Sequence, residues 1–420
     1  MEREDISEKN DYHRRDSCRL CNSKNIELAM SLEKTPMGDA YIFSDRLGEE
    51  QKTYPLDLFL CNDCSLSQIV DVINPEFLYR DYIYSTSISL GLRDHFKKYS
   101  EEVLKKLNPA NGSLVVDLGS NDGTLLRFFK NNDMKVLGID PAKDIAKKAT
   151  ESGVATLPYF FTKDVAAEVK ERYGPAKIIT ANNMIANLDD LSDFVSGIKN
   201  LMAPNGAFVF QTGYGLDLFE KDLIDVIYHE HLSYFSTKSL KPFFKNNGLE
   251  LFDVKRDSIK RGSLRGMVQF KGGPNKISDS VEKLVELEES AGIDKIETYR
   301  SFDKRMQDTK KSLHHLLNYI KGQGKTVAGY GASVGVTTML YHFDLGKFVD
   351  FIVDDNSSRH NSFSPGLHIP VLSPNSLLEK KPDYSIILAW QYSKPIIEKN
   401  QDYLNQGGHF ITPLPKFEVI

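Results

Sequence analysis

The sequence predicts an α/β protein: a doubly wound parallel sheet, with a small metal-stapled domain ahead of it and a second α/β unit behind. Three observations carry this. Strand-like apolar runs alternate with helices of about a dozen residues from residue 113 onward. Two glycine-rich turns, at 119–123 and 329–335, each sit between a strand and a helix. All four cysteines fall in two C-x-x-C pairs near the N terminus.

Composition sets the outer limits. The chain has 420 residues, 40% of them apolar and 26% charged, enough for several domains and a large buried core. Lys and Arg total 53 against 58 Asp and Glu, a balance of −5, so no global charge draws the protein to nucleic acid or anionic membrane. No apolar run reaches the roughly 20 residues that span a bilayer. The first ten residues, Met1-Glu-Arg-Glu-Asp-Ile-Ser-Glu-Lys-Asn10, lack the apolar centre of a signal peptide. The expectation is a cytoplasmic protein with neither nucleic acid nor membrane as partner.

Residues 1–12 are polar and charged, a frayed tail. Residues 18–72 hold short strands broken by turn signals such as Pro36-Met-Gly38, with too few apolar residues for an independent core. Their staple is the pair Cys18-Arg-Leu-Cys21 and Cys61-Asn-Asp-Cys64. Two such knuckles close a tetrahedral four-sulfur shell, which leaves no open position for substrate and suits structural zinc. A thioredoxin-like redox pair would need a βαβ setting that this segment lacks, and disulfides are disfavoured in a reducing compartment. Asp39, Asp45, Glu49, Glu50, Asp57 and Asp63 argue against phosphate binding by this domain.

From residue 94 the pattern changes. Residues 94–107 alternate apolar and charged positions at helical spacing, 113–117 form a buried strand, and 124–131 a helix. Further strands are expected at 135–140, 176–181 and 206–210, with Pro141 opening the helix after the second. Residues 277–321 are largely helical, with Leu284, Leu287, Met306, Leu313 and Leu317 marking apolar faces and Gly292 a break. A second small sheet follows at 326–330, 348–354, 384–390 and 409–412.

The first turn reads Val115-Val-Asp117-Leu-Gly119-Ser-Asn121-Asp122-Gly123. Gly119 and Gly123 let the backbone approach a ligand, and the acidic strand end at Asp117 repels phosphate. A nucleoside with a cationic or amine-bearing tail, such as S-adenosylmethionine, fits better than a pyrophosphate. Asp140, ending Leu-Gly-Ile-Asp, is placed to accept hydrogen bonds from both ribose hydroxyls.

These motifs, taken with Tyr82-Ile-Tyr84-Ser-Thr-Ser, Tyr228-His-Glu-His231-Leu-Ser-Tyr-Phe, Gly262-Ser-Leu-Arg265 and Gly329-Tyr-Gly-Ala-Ser333, make the chain resemble the three-domain sugar C-methyltransferases of deoxysugar biosynthesis. The likeness covers nearly the whole chain. It implies a zinc-binding domain (residues 1–75), a class I, Rossmann-like methyltransferase domain (76–256) and a C-terminal Rossmann-like substrate-binding domain (257–420). It further implies methyl transfer from S-adenosylmethionine to a ring carbon of a nucleotide-linked keto sugar. The cofactor residues are then Asp117, Gly119, Asn121, Asp122, Gly123, Asp140 and Asn182. Two departures stand near where the family holds its acceptor: Asn187 replaces a His common in members, and the turn from Gly331 lacks the family's Lys and Asn.

Carbon methylation needs a carbanion equivalent, which a base creates beside a keto group. By the resemblance His231 is that base, with Glu230, Tyr228 and the linker residue Tyr84 as catalytic partners. In a strand His229 and His231 would face one side and Tyr228 and Glu230 the other, a division that a loop would relax. The competing readings are a metal site without a third ligand, a polar surface turn, and ordinary half-buried tyrosines at 82 and 84.

Tyr82, Asn187, Arg265, Gly331, Ala332 and Ser333 complete the expected substrate set. The turn at 329–335, with Asp354 and Asp355 ending the next strand, is close to a dinucleotide fingerprint. It could receive the substrate's diphosphate, hold NAD, or merely pack helix on strand; Arg265 could equally make an ion pair. Two further functions remain open on sequence alone: O- or N-methylation with the same donor, and a non-catalytic zinc scaffold that senses nucleotides. The sugar, the ring carbon, the nucleotide base and the oligomeric state are not written in the sequence.

Overall fold

A computed structural model describes residues 11–79 and 91–420. The described residues fold into two compact units that interleave in sequence, one from 11–27, 60–79, 91–216 and 232–294, the other from 28–59, 217–231 and 295–420.

The first unit is built on a seven-stranded sheet, ordered Leu249–Asp257, Ser263–Phe270, Met202–Gly213, Ala176–Asn182, Leu114–Leu118, Lys135–Ile139, Thr156–Leu157. The last five run parallel, as the strand–helix alternation requires. Ser263–Phe270 alone runs antiparallel, so the edge strand Leu249–Asp257 points the same way as the five, and the sequence reading anticipated neither strand. Gly266 sits opposite Phe210 in this ladder, where any side chain would run into the Phe210 ring.

Alternation divides the sheet's contacts. Val115, Ile178 and Val209 pack with Phe96, Tyr99 and Val103 of the helix Leu92–Leu107 and with Leu125, Leu126 and Phe129 of Thr124–Lys130. The residues Leu92, Phe96, Tyr99 and Val103 recur at three- and four-residue intervals, which is why this segment is a helix with one apolar face. Phe208 and Phe210, of opposite parity to Val209, meet Phe194 and Phe244 from the helices Leu191–Leu201 and Thr237–Asn246.

The second unit carries a six-stranded sheet ordered Val371–Leu372, Phe351–Val353, Val327–Tyr330, Tyr384–Ile387, His409–Thr412, Glu418–Val419, parallel except for the last strand. Tyr330, Val353, Ile387, Tyr403 and Phe410 form its core. The helical stretch expected at 277–321 is two helices, Asp279–Ser290 and Ile296–Gly322, broken at Gly292, whose φ is 70°. No described helix is long and apolar enough to cross a membrane.

Candidate active site and metal centre

The two cysteine knuckles are near copies. Cys18 N–H donates to Ser23 O and Asn22 N–H to Cys18 O, while Cys61 N–H donates to Leu66 O and Ser65 N–H to Cys61 O, all at 2.8–2.9 Å. Each turn closes through a residue in the left-handed region, Asn22 at φ 58° and Ser65 at φ 63°. The four ligand sulfurs lie within 4.8 Å of one another. Cys18 and Cys64 are 3.5 Å apart and Cys21 and Cys61 3.6 Å, close to the edge of about 3.8 Å that Zn–S bonds of about 2.3 Å give a tetrahedron. Such crowding makes the thiols share protons: hydrogen bonds from Cys18 and Cys64 pull Cys61 down to about 2, while Cys18 rises to about 12. Four sulfurs gathered this closely fit one divalent cation with no coordination site left over.

The cofactor residues also gather in the first unit. After the strand Leu114–Leu118, Gly119 (φ 67°), Asn121 (φ 49°) and Gly123 (φ 76°) wind the turn tightly into the helix Thr124–Lys130. A side chain on Gly123 would press on Val154. Asp122 accepts from Thr124 N–H and from the Thr124 hydroxyl, fixing the helix start. Asp140 takes one N–H on each oxygen, Asn121 at 2.8 Å and Ala142 at 3.0 Å, so its carboxylate is held across the turn with lone pairs to spare for hydroxyl donors.

Asp117 is buried, its Oδ1 accepting from the Thr180 hydroxyl at 2.6 Å. Burial pushes it up to about 7. A buried carboxyl with one neutral partner suits an incoming cation. Asn182, at the end of its strand, lies beside the Tyr99 phenol, which instead donates to Val209 O, and both Asn182 polar atoms are sealed from solvent with no hydrogen-bond partner. An unpaired amide and carboxylates with acceptor capacity to spare, at the carboxyl ends of parallel strands, are the donor and acceptor set that S-adenosylmethionine requires. Thr180 escaped the sequence reading, although a lone threonine amid Ile178, Ile179 and Ala181 was a visible signal.

Tyr228, Glu230 and His231 belong to the second unit, in a turn rather than a strand. His231 N–H donates to Tyr228 O, which brings residues three apart together, and the expected strand alternation does not hold. Nδ1 of His231 lies 2.9 Å from the Val226 carbonyl and must carry the proton. That leaves Nε2 as the acceptor nitrogen, 2.9 Å from the Tyr228 hydroxyl. His229 is different. It is buried, its Nε2 donates to Pro55 O at 3.2 Å, its ring meets Tyr54 edge-on, and burial lowers it to about 4. Thr338, another residue the sequence reading missed, donates to the Ile227 carbonyl at 2.6 Å and ties this turn to the helix Val334–His342.

The remaining expected residues are dispersed. Asn187 is half-buried in the first unit with its Oδ1 unpaired. Arg265 is buried there too, ion-paired with Glu102, its guanidinium 5.0 Å from the centre of the Tyr99 ring. In the second unit the turn from Gly331 already spends two donors, Gly331 N–H on Val353 O and Ala332 N–H on Asp354 at 2.5 Å. Gly335 packs against the Asp225 backbone with no room for a side chain. Only Ser333 of the three expected turn residues keeps its N–H outside these bonds. Tyr82 and Tyr84 lie outside the described residues.

Family models match in three blocks: a zinc binding domain over residues 18–79, a methyltransferase domain over 92–254 and a C-methyltransferase C-terminal domain over 258–415. The chain is 31% identical over 406 residues to C-methyltransferase NovU of Streptomyces niveus, a match spanning 96% of this chain and 97% of that one. It is 26% identical over 124 residues to a ubiquinone biosynthesis O-methyltransferase of Bradyrhizobium sp. (strain ORS 278), spanning 29% of this chain and 48% of the other. Among solved structures, the magnesium protoporphyrin IX methyltransferase of Synechocystis PCC 6803 with bound SAH aligns at 15% identity and a TM-score of 0.35, over 46% of this chain and 99% of that one.

Proposed function

We propose, from the premise that this chain belongs to the family of zinc-binding, S-adenosylmethionine-dependent C-methyltransferases, that its acceptor is a nucleotide-linked keto sugar methylated at the ring carbon beside the keto group. The observation that carries this reading is the His231 ring, whose Nδ1–H is spent on Val226 O so that Nε2 is the nitrogen left to accept a proton. A base of this kind would also serve methylation on oxygen or nitrogen, so the atom that receives the label separates the two readings.

In this reading Nε2 of His231 takes the proton from the acidified C–H, and the electron pair moves onto the keto oxygen as an enolate. Tyr228, on the same nitrogen, and Tyr84 are the phenols assigned to orient the ring and the enolate oxygen. Glu230 is the remaining catalytic partner. Bound S-adenosylmethionine supplies an electrophilic methyl group, and Asp117, Asn121, Asp140 and Asn182 hold it. Tyr82, Asn187, Arg265 and Ser333 are the acceptor-side residues. Residues 1–75, 76–256 and 257–420 are the three functional domains, and the enzyme works in the cytoplasm.

The test is incubation with methyl-labelled S-adenosylmethionine and a panel of nucleotide 4-keto sugars, the label then located by NMR. In D2O without donor, the wild type should wash deuterium into the ring carbon and His231→Ala should not. Label on oxygen or nitrogen, or washout undiminished in His231→Ala, would sink the enolate reading.

A further inference from the structure

The sheet of the first unit ends in a polar row. Asn182, Gln211 and Arg265 are register partners on three adjacent strands, so their side chains share one face. Asp117 uses the same face, since its register partner Thr180 stands two residues before Asn182.

The helix Leu92–Leu107 lays His95, Tyr99 and Glu102 over this row, three and four residues apart. Glu102 and the Tyr99 ring engage Arg265, and Nε2 of His95 lies 3.0 Å from Oε1 of Gln211. Gln211 is fully buried (0% exposed), yet its Nε2 has no hydrogen-bond partner. It follows an apolar run, Ala207 to Phe210, at the carboxyl end of its strand. A buried amide donor left unpaired is costly, and an apolar residue would serve packing better, unless a ligand completes it.

We propose that Gln211, oriented by His95, binds the carboxylate at the amino-acid end of the methyl donor, with the Asn182 amide beside it. The inference rests on Asp117 as the partner of the donor's ammonium. In an α-amino acid the carboxylate is on the carbon next to the ammonium, so it falls about one strand spacing (about 4.8 Å) from Asp117, over the Asn182 strand and beside Gln211 on the strand beyond. The row's one guanidinium, Arg265, is already committed to Glu102. That leaves two amides as donors. With its Nε2–H donated to Oε1, His95 fixes which way the Gln211 amide points, and its NH2 group becomes the free end. Burial keeps the His95 ring below its ordinary pKa and hence neutral.

Calorimetry with S-adenosylhomocysteine and with 5′-methylthioadenosine, which lacks the amino-acid end, tests this. Gln211→Leu should weaken S-adenosylhomocysteine about tenfold or more, and Gln211→Glu further by charge repulsion, while 5′-methylthioadenosine binds both as it binds the wild type. Unchanged S-adenosylhomocysteine affinity, or equal weakening of the two ligands, overturns the proposal. If neither Gln211 variant folds, His95→Ala, which frees the amide to flip, should show the same selective loss. Asp117→Asn separates the premise: if it leaves S-adenosylhomocysteine affinity intact while Gln211→Leu destroys it, the ammonium assignment fails and the carboxylate site stands.

Discussion

The Tyr228 hydroxyl lies 2.9 Å from Nε2 of His231, and the two ring centroids are 4.1 Å apart. The phenol therefore holds the imidazole in place by both a hydrogen bond and a ring contact. Removing the base itself should cost about 10²–10⁴ in kcat, the usual worth of a positioned general base. Tyr228→Phe keeps the ring contact and loses only the hydrogen bond, so about a tenfold fall in kcat is expected. Neither change should alter S-adenosylhomocysteine affinity by calorimetry. A Tyr228→Phe enzyme as fast as wild type would show that the phenol is a bystander.

Asp117 predicts a pH dependence. Its carboxyl, raised by burial from 3.8 to about 7, is protonated in the ligand-free fold at mildly acidic pH. The sign follows from linkage: a carboxyl with a raised folded-state pKa favours folding fully only below its unfolded value, and that contribution is lost as pH rises through about 7. Ligand-free Asp117→Asn should thus melt above wild type at pH 8, with the gap narrowing toward pH 4. An ammonium-bearing ligand needs the carboxylate. Affinity for S-adenosylhomocysteine should therefore climb from pH 5.5 to about 7 and then level off, and Asp117→Asn should abolish that slope.

The contrast between these two sites shows what a sequence discloses. The turn from Asp117 to Gly123 was legible because local rules decide it: an apolar strand, two glycines at positive φ and a helix start. The Tyr228–His231 turn was not. Its shape is set by Val226 O and by Thr338, 107 or more residues further on, and no local pattern encodes that pairing. The strand Ser263–Phe270 was hidden for a related reason. Arg265 and Gln269 look wrong for a buried strand until Glu102 is found paired with the first and Glu250 with the second.

The metal centre should be separable from the methyl chemistry. One zinc per chain is expected by elemental analysis, since the four sulfurs close a single shell. Cys61→Ser removes one of the four sulfur ligands and should lose the metal. A fall in Tm of about 5 °C or more should follow, because a small apolar-poor region loses its cross-link. Full zinc content in Cys61→Ser, or an iron–sulfur absorption band in the wild type, would refute the assignment.

Thr338 offers the sharpest test of how the His231 turn is held. Its side chain is buried, and its hydroxyl donates to the Ile227 carbonyl, one residue before Tyr228, at 2.6 Å. Thr338→Val preserves the shape and removes the donor, leaving a buried carbonyl unpaired at a cost of about 1–3 kcal/mol. The turn can recover that by moving toward water, which carries Tyr228 and His231 with it. A positioning loss of this kind should appear in kcat, by about tenfold or more, with S-adenosylhomocysteine affinity unchanged. Thr338→Ser restores the hydroxyl and should restore the rate. If Thr338→Val were as active as wild type, or if Thr338→Ser were as impaired as Thr338→Val, the hydroxyl would have no part in placing the base.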